Sequence, residues 1–250
     1  MNSSMRMVLF FFGAAGIALL LVCAFVRLPG PQNLRSRYLK RINDGAVPER
    51  NATDAVTAVN FDYRGFDTVG EEFILFVSVM GSMVLLRQAS EKRDQPLPDA
   101  ITPARDVPAS DAVRLWILMM VAPKILFGIY IVSHGQLTPG GGFQGGVILA
   151  SSALIIYVGE NFEVFKKILS HPLIETAEGA GAGLFVLIGM IAWFWGRPFL
   201  TNTLPLGQTN ELTSAGTIPL ISLATGLEVT AGFLLLLFAF LQETLTASSE

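Results

Sequence analysis

The sequence is poor in charged residues, cysteine and histidine. Only 15% of its 250 residues are charged, whereas a soluble domain usually carries about a quarter. The single cysteine, Cys23, excludes an internal disulfide, and two histidines, His134 and His171, are too few and too far apart for a metal site built on imidazole. The net charge of −3 shows no basic excess. These absences argue against a soluble enzyme, a disulfide-stapled secreted domain and a nucleic-acid-binding protein.

Long apolar blocks are what the sequence has instead. Hydrophobic residues make up 52% of the chain. Because about 20 consecutive apolar residues span the hydrocarbon core of a bilayer, these blocks predict an all-α, polytopic integral membrane protein. The first block is longer than the apolar core of a signal peptide and predicts a retained span. About six transmembrane helices are expected, at 7–26, 68–86, 115–133, 140–159, 174–195 and 215–241.

A stretch with four prolines, at 91–111, divides the chain. It predicts a linker between a two-helix part, 1–90, and a four-helix part, 112–250. Basic residues divide almost evenly between the two sides of the membrane, so the positive-inside rule selects no orientation from the whole chain. The four C-terminal spans alone favour the linker and the loop of Lys166 on the inner side, whereas the long basic loop contradicts this. We expect both termini on the inner side.

Two residues of opposite charge, Lys124 and Glu228, lie near the middle of the third and sixth predicted spans. A charge at this depth costs roughly 2.5–3.5 kcal/mol on insertion scales, so it is retained only where something offsets the cost. One interpretation is a structural ion pair that holds the two spans together. The other is a pair of stations in a proton or cation path, and the two interpretations are compatible.

Further acidic residues lie near the ends of predicted spans. Glu175 and Glu178 are three residues apart and share a helix face, with Glu178 the deeper of the two. Glu71 and Glu72 are adjacent, so they point in different directions from one helix and do not both face the same partner. His134 ends the third span and is either solvated or a point of proton entry, because histidine changes charge near physiological pH.

The glycines of the chain indicate packing rather than nucleotide binding. Gly179 and Gly183 have the four-residue spacing that lets membrane helices approach closely. The run Gly140, Gly141, Gly142 follows no predicted strand and precedes no suitably spaced lysine, so it is not a phosphate loop. The sequence also has no nucleophile triad, paired-cysteine metal site or dinucleotide fingerprint. We therefore expect no catalytic residue and no cofactor.

Three motifs carry a family resemblance. Residues 134–146 read HGQLTPGGGFQGG, and residues 218–232 read IPLISLATGLEVTAG. Both resemble the B subunit of Mrp-type (also called Mnh-type) multisubunit Na+/H+ antiporters, and this resemblance extends from about residue 113 to the C-terminus. Residues 57–71, TAVNFDYRGFDTVGE, resemble the C-terminal end of the large A subunit, whose counterpart in membrane-bound hydrogenases is a small separate subunit. The chain thus resembles a fusion of that A-subunit end with a B subunit.

The resemblance implies a multi-pass transporter subunit, not an enzyme, in the cell membrane of a bacterium or archaeon. It implies other antiporter subunits, the lipid bilayer, Na+ and H+ as partners. In such complexes the part that contains the B subunit is proposed to host or couple sodium passage, and within the motif DTVGE the resemblance favours Glu71 over Glu72. The predicted ion and proton translocation residues are Lys124, Glu228, Glu178, Glu71 and His134.

Two alternatives stay open at this level. The same modules occur in respiratory complexes related to membrane-bound hydrogenases, where the chain would serve as the ion-pumping module without binding the redox cofactor. The chain would otherwise be a purely structural assembly subunit through which no ion passes.

Overall fold

The computed structural model describes residues 3–27, 37–91, 110–160 and 162–246. The chain forms two compact units, residues 1–44 and residues 45–250. Within the described segments the regular structure is helical throughout. A π-helical turn, Val59–Tyr63, joins two of the helices, which in chain order are α1 (Ser3–Val26), α2 (Arg37–Arg50), α3 (Ala55–Ala58), α4 (Gly65–Glu91), α5 (Asp111–Ser133), α6 (Gly142–Gly159), α7 (Phe162–Ile168), α8 (His171–Phe194) and α9 (Ile218–Thr246).

Five helices of the described chain, α4, α5, α6, α8 and α9, are long and apolar enough to cross a membrane. The prediction of an all-α, polytopic membrane protein is therefore confirmed, and these helices correspond to the last five of the six expected spans. The first expected span, 7–26, falls within α1. The short helix α7 was not predicted. Most of the predicted linker, 92–109, lies outside the described residues.

The helix boundaries follow from local chemistry. Ser110 caps the start of α5, where its hydroxyl oxygen accepts a hydrogen bond from the backbone N–H of Val113. α6 begins at Gly142, two residues later than expected, because Gly140 and Gly141 have φ values of +151° and +122°. A right-handed helix does not include such dihedral angles, so these two glycines form the turn that precedes the span.

α9 is the central helix of the larger unit. Of its membrane span, 61% is buried, against 11–39% for the other four spans. It packs against α4, α6 and α8, while α5 packs mainly on the outer side of α6. Gly142 of α6 meets Thr225 and Gly146 meets Val229, so α6 and α9 run in the same direction. The hydroxyl of Thr230 also donates to the Gly146 carbonyl over 3.3 Å. α4, α6 and α9 run in one direction, and α5 and α8 run in the other.

The segment that precedes α4 is joined to the loops of the four-helix part by hydrogen bonds. The backbone N–H groups of Thr53 and Asp54 donate to the Gln136 carbonyl, over 3.0 and 3.1 Å. Farther along, the Asn202 amide donates to the Asp62 carboxylate over 3.1 Å. The residues that resemble the A-subunit end and those that resemble the B subunit therefore form one connected structure on this side, which we call the loop side.

The glycine that brings α8 against α9 is Gly181. A Cβ atom added at Gly181 would lie 2.5 Å from the backbone nitrogen of Glu228, closer than real atoms approach. Gly179 and Gly183, which the spacing predicted to form the contact, have no atom of the described chain within 4 Å of such a Cβ. The close approach at Gly179 and Gly183 is therefore not made within the described chain, because the buried side of α8 runs through Glu178 and Gly181.

We expect Gly181→Ala to lower the stability of the detergent-solubilised protein by about 1–3 kcal/mol, the usual cost of overpacking a close contact. Gly179→Ala is the matched control, since it adds the same methyl group to the same helix with open space around it. Thermal unfolding of both variants, followed by the loss of the monodisperse species, measures the difference. Equal unfolding temperatures would show that the approach of α8 to α9 is not close in solution.

Candidate ion-translocation site

Three glutamates from three different helices meet inside the larger unit. Glu72 lies on α4, Glu178 on α8 and Glu228 on α9, and their exposed fractions are 3%, 1% and 0%. Each lies at least seven residues from either end of its span. The fold therefore brings three carboxyl groups together at membrane depth, where lone charges are expensive.

The carboxyl groups of Glu72 and Glu228 are close neighbours, and the hydroxyl of Thr225, one turn before Glu228, lies near that of Glu72. Glu178 interacts electrostatically with Glu228, and its Oε1 lies 3.5 Å from the position that a Cβ of Gly232 would take. We call Glu72, Glu178, Glu228 and Thr225 the acidic cluster.

The oxygen atoms of the acidic cluster have no hydrogen-bond partner of good geometry among the described residues. This is true of all six carboxyl oxygens and of Thr225 Oγ1. The ion pairs of the described chain, such as Arg50 with Asp62 and Arg114 with Glu160, lie elsewhere. Because an unsatisfied buried polar group costs about 1–3 kcal/mol, this arrangement of oxygen atoms is costly for the stability of the fold.

A small cavity adjoins the cluster between α4 and α8. Its volume is about 10 Å³, and Glu72 is the polar residue of a lining that is otherwise apolar, formed by Val69, Phe73, Ala182, Phe185 and Val186. This volume is near the lower limit for one water molecule. A water there would have a carboxylate as its polar partner.

Polar side chains continue from the cluster towards both sides of the membrane. Away from the loop side, Glu178 interacts with Glu175, and Glu175 Oε1 lies 3.4 Å from Nδ1 of His171, the first residue of α8. Towards the loop side, Ser222 lies one turn before Thr225 and donates a hydrogen bond to the Val132 carbonyl over 2.9 Å. We call the series Ser222, the acidic cluster, Glu175 and His171 the polar file.

The structure brings two of the five predicted translocation residues, Glu178 and Glu228, into the acidic cluster. Glu71 is exposed, and the adjacent Glu72 is the residue that reaches the cluster. His134 ends α5 on the loop side, where its ring stacks on Tyr130 with centroids 4.1 Å apart. It is not part of the cluster.

Lys124 also lies outside the cluster. Its ammonium group donates to the carbonyl of Ser151 on α6 over 3.4 Å, and the ion pair with Glu228 considered from the sequence is not among those formed by the described residues. The reason is topological, because α6 packs between α5 and α9. Two mid-span charges of opposite sign therefore face different neighbours.

Sequence reasoning underrated Glu72 and passed over Thr225. The spacing of residues on α4 indicates that Glu72 is buried. Thr68, Glu72 and Val79 lie on one face of the helix, and all three are buried. Glu71 points about 100° away from that face. Thr225 and Glu228 are likewise three residues apart on the buried side of α9.

Comparison with known proteins identifies the family. Residues 112–235 match a family model described as a domain related to the MnhB subunit of Na+/H+ antiporter. The chain is 30% identical over 113 residues to the B subunit of a Na+/H+ antiporter from Alkalihalophilus pseudofirmus, covering 42% of this chain and 78% of that protein. The chain belongs to the MnhB family.

Two other relatives extend beyond the MnhB domain. An uncharacterised protein of Methanocaldococcus jannaschii is 31% identical over 193 residues, covering 71% of this chain and 72% of that protein. A probable K+/H+ antiporter A/B subunit from Rhizobium meliloti is 27% identical over 242 residues, covering 87% of this chain but 22% of its own length. A match of this extent to a combined A/B protein supports an A-subunit end fused to an MnhB domain.

Solved structures share the fold of this MnhB-family chain. A chain of the membrane-bound sulfane sulfur reductase, an archaeal respiratory membrane complex, has a TM-score of 0.69 and 27% identity, covering 95% of this chain and 98% of its own. A chain of the Mrp complex from Dietzia sp. DQ12-45-1b has a TM-score of 0.68 and 20% identity, covering 96% of this chain and 26% of its own. The fold is therefore that of a subunit in multisubunit membrane complexes.

The proximity of Glu72 and Glu228 can be tested by a double-mutant cycle. We expect Glu72→Gln and Glu228→Gln to be non-additive in unfolding free energy, with a coupling of about 0.5–3 kcal/mol, the range for residues in contact. Glu71→Gln with Glu228→Gln is the matched control, and it should be additive within about 0.5 kcal/mol. Unfolding of the detergent-solubilised variants provides the measurement, and coupling that involves Glu71 but not Glu72 would contradict this geometry.

Proposed function

We propose that the chain acts in the ion-translocation or coupling module of a multisubunit cation/proton antiporter in a prokaryotic cell membrane. The observation that carries the proposal is the acidic cluster, three buried carboxyl groups with no counter-charge among the described residues. Membership of the MnhB family supports the transporter class. Na+ and H+ are the proposed ions, and other antiporter subunits are the proposed partners.

Carboxyl groups suit the exchange of a proton for a cation. Their oxygens bind hard cations such as Na+, for which oxygen ligands are preferred, and the same oxygens bind protons. Glu72 and Glu228 present four such atoms close together, with the Thr225 hydroxyl beside them. A cation that enters displaces a proton from this set, and a returning proton displaces the cation, so one set of oxygens couples two ions.

The polar file supplies the proposed route. From the loop side it passes Ser222 and Thr225 to the cluster, and from there it passes Glu175 to His171. His171 lies at the far end, and imidazole side chains commonly act as proton shuttles in proteins. Roles in translocation for Glu71, Lys124 and His134 stay predictions from the sequence.

Glu228→Gln is expected to leave assembly of the complex intact and to abolish cation/proton antiport. The amide of Gln has nearly the same shape as the carboxyl group of Glu, but it does not bind and release a proton near neutral pH. Fluorescence-based antiport assays on everted membrane vesicles measure the effect, with blots for the subunits as the assembly check. Glu211→Gln is the matched control, an exposed loop position on the same chain that should retain normal antiport.

Normal antiport in the Glu228→Gln variant would overturn the proposed route and leave the chain a purely structural subunit. In that case Glu228→Leu should also be tolerated, because it removes a buried carboxyl group that has no hydrogen-bond partner among the described residues.

A second candidate is the ion-pumping module of a redox-driven respiratory complex. It is favoured by the similarity to a chain of the sulfane sulfur reductase complex, which covers nearly the whole of both chains. In this case, too, the acidic cluster would handle ions and the chain would hold no redox cofactor of its own.

Mass spectrometry of the mildly solubilised, affinity-tagged native complex separates the two candidates. We expect large antiporter-like subunits to co-purify without iron–sulfur proteins. Iron–sulfur subunits in stoichiometric amounts would instead assign the chain to a redox-driven pump, and the Glu228→Gln test would then be made under electron flow.

A further inference from the structure

Lys124 is a mid-membrane charge for which the described residues offer no carboxylate. Its position is 13 residues from the start and nine from the end of α5, which is roughly 20 Å and roughly 14 Å along the axis. Between residues 112 and 159, which cover α6 and all but the first residue of α5, the sequence contains no Asp or Glu. The carboxylates of the acidic cluster lie beyond α6.

The hydrogen bond that the ammonium group makes is too weak to offset its burial. A single backbone carbonyl, that of Ser151 at 3.4 Å, accepts this bond from Nζ. Lysine side chains near the ends of spans avoid the cost of burial by reaching the interface, but that requires a position close to an end. Lys124 lies near the middle, and its side chain turns sideways to α6 instead.

The surroundings of Lys124 are open at the seam between α5 and α6. Lys124, Val121 and Ser151 are half-buried, and Leu154, one turn beyond Ser151, is 43% exposed. We call these four residues the Lys124 seam. On either side of it α5 exposes large apolar side chains, among them Ile125 and Phe127, as expected for a surface that contacts lipid or another membrane helix.

We propose that the Lys124 seam is the docking site for a transmembrane helix of another subunit, which places an Asp or Glu against Lys124. Charge complementarity identifies the occupant, because charged side chains within membrane spans typically pair with an opposite charge at the same depth. An anionic lipid does not meet this requirement, since its phosphate lies at the interface, about 15 Å from the middle of a hydrocarbon core about 30 Å thick.

A second copy of this chain is a poorer occupant than another subunit. Of the exposed carboxylates in the described spans, Glu71 lies deepest, and it is only six residues, or roughly 9 Å, from the loop-side end of α4. Lys124 is roughly 14 Å from the same side, so the two charges differ in depth. The proposal concerns assembly and does not depend on the acidic cluster or on which ion is transported.

The first test reverses the charge in the intact complex. Lys124→Glu should reduce the amount of one membrane subunit that co-purifies with the tagged chain by at least about tenfold, since truncating or reversing one member of a buried pair costs several kcal/mol. Lys124→Arg should retain it. Lys166→Glu is the matched control, because it makes the same change at an exposed position of α7. Full retention of every subunit by Lys124→Glu would overturn the proposal.

The second test needs no change at Lys124, so it is informative even if the charge reversal prevents folding. In a Cys23→Ser background, Leu154→Cys is labelled with benzophenone maleimide, and the native complex is irradiated and mapped by mass spectrometry. We expect an adduct on a transmembrane peptide of another subunit that contains Asp or Glu. Leu187→Cys on α8, an exposed position, is the control and should not label that peptide. Adducts confined to lipid, to a second copy of the chain or to a peptide without a carboxylate would contradict the proposal.

Discussion

The close approach of α8 to α9 at Gly181 is the contact on which the rest of the site depends. With no side chain at Gly181, the backbone of α9 comes against α8 at the level of Glu228, and one turn along Glu178 lies against Gly232. α4 completes the arrangement, since Val79 also contacts Gly232 and Glu72 meets Glu228. Three carboxyl groups are thereby held at membrane depth by helix packing alone. In a bilayer, small residues at crossing points are what makes such packing favourable.

The acidic cluster lies between two apolar cores, and this placement explains how the fold tolerates it. One core, on the loop side, includes Ile221 and Ala224 of α9, and the other includes Ala231 and Leu235. Thr225 and Glu228 lie between them along the same helix. The packing of both cores offsets the cost of the unsatisfied carboxyl groups. A chain selected only for stability would replace these groups by apolar ones.

The part of the chain that resembles an A-subunit end contributes one residue of the acidic cluster. Glu72, which comes from the part that resembles an A-subunit end, completes a cluster whose other carboxylates come from the MnhB domain. The hydrogen bonds from Thr53 and Asp54 to Gln136 hold the segment before α4 against the loop of that domain. One chain therefore contains both halves of the cluster. Lys124, by contrast, lies on the far side of α6, where the described chain leaves it without a carboxylate.

The sequence by itself determined the fold class, the positions of the spans and the membrane depth of Glu178 and Glu228, because long apolar blocks and the cost of charge in a bilayer are local properties. It also carried the family motifs. Only the tertiary structure decided that Glu72 rather than Glu71 joins the cluster, that Gly181 rather than Gly179 makes the close contact, and that Lys124 does not meet Glu228. These choices depend on the rotation of each helix about its axis and on which helices are neighbours. A one-residue step turns a side chain by about 100°, and neighbours are set by packing between distant segments.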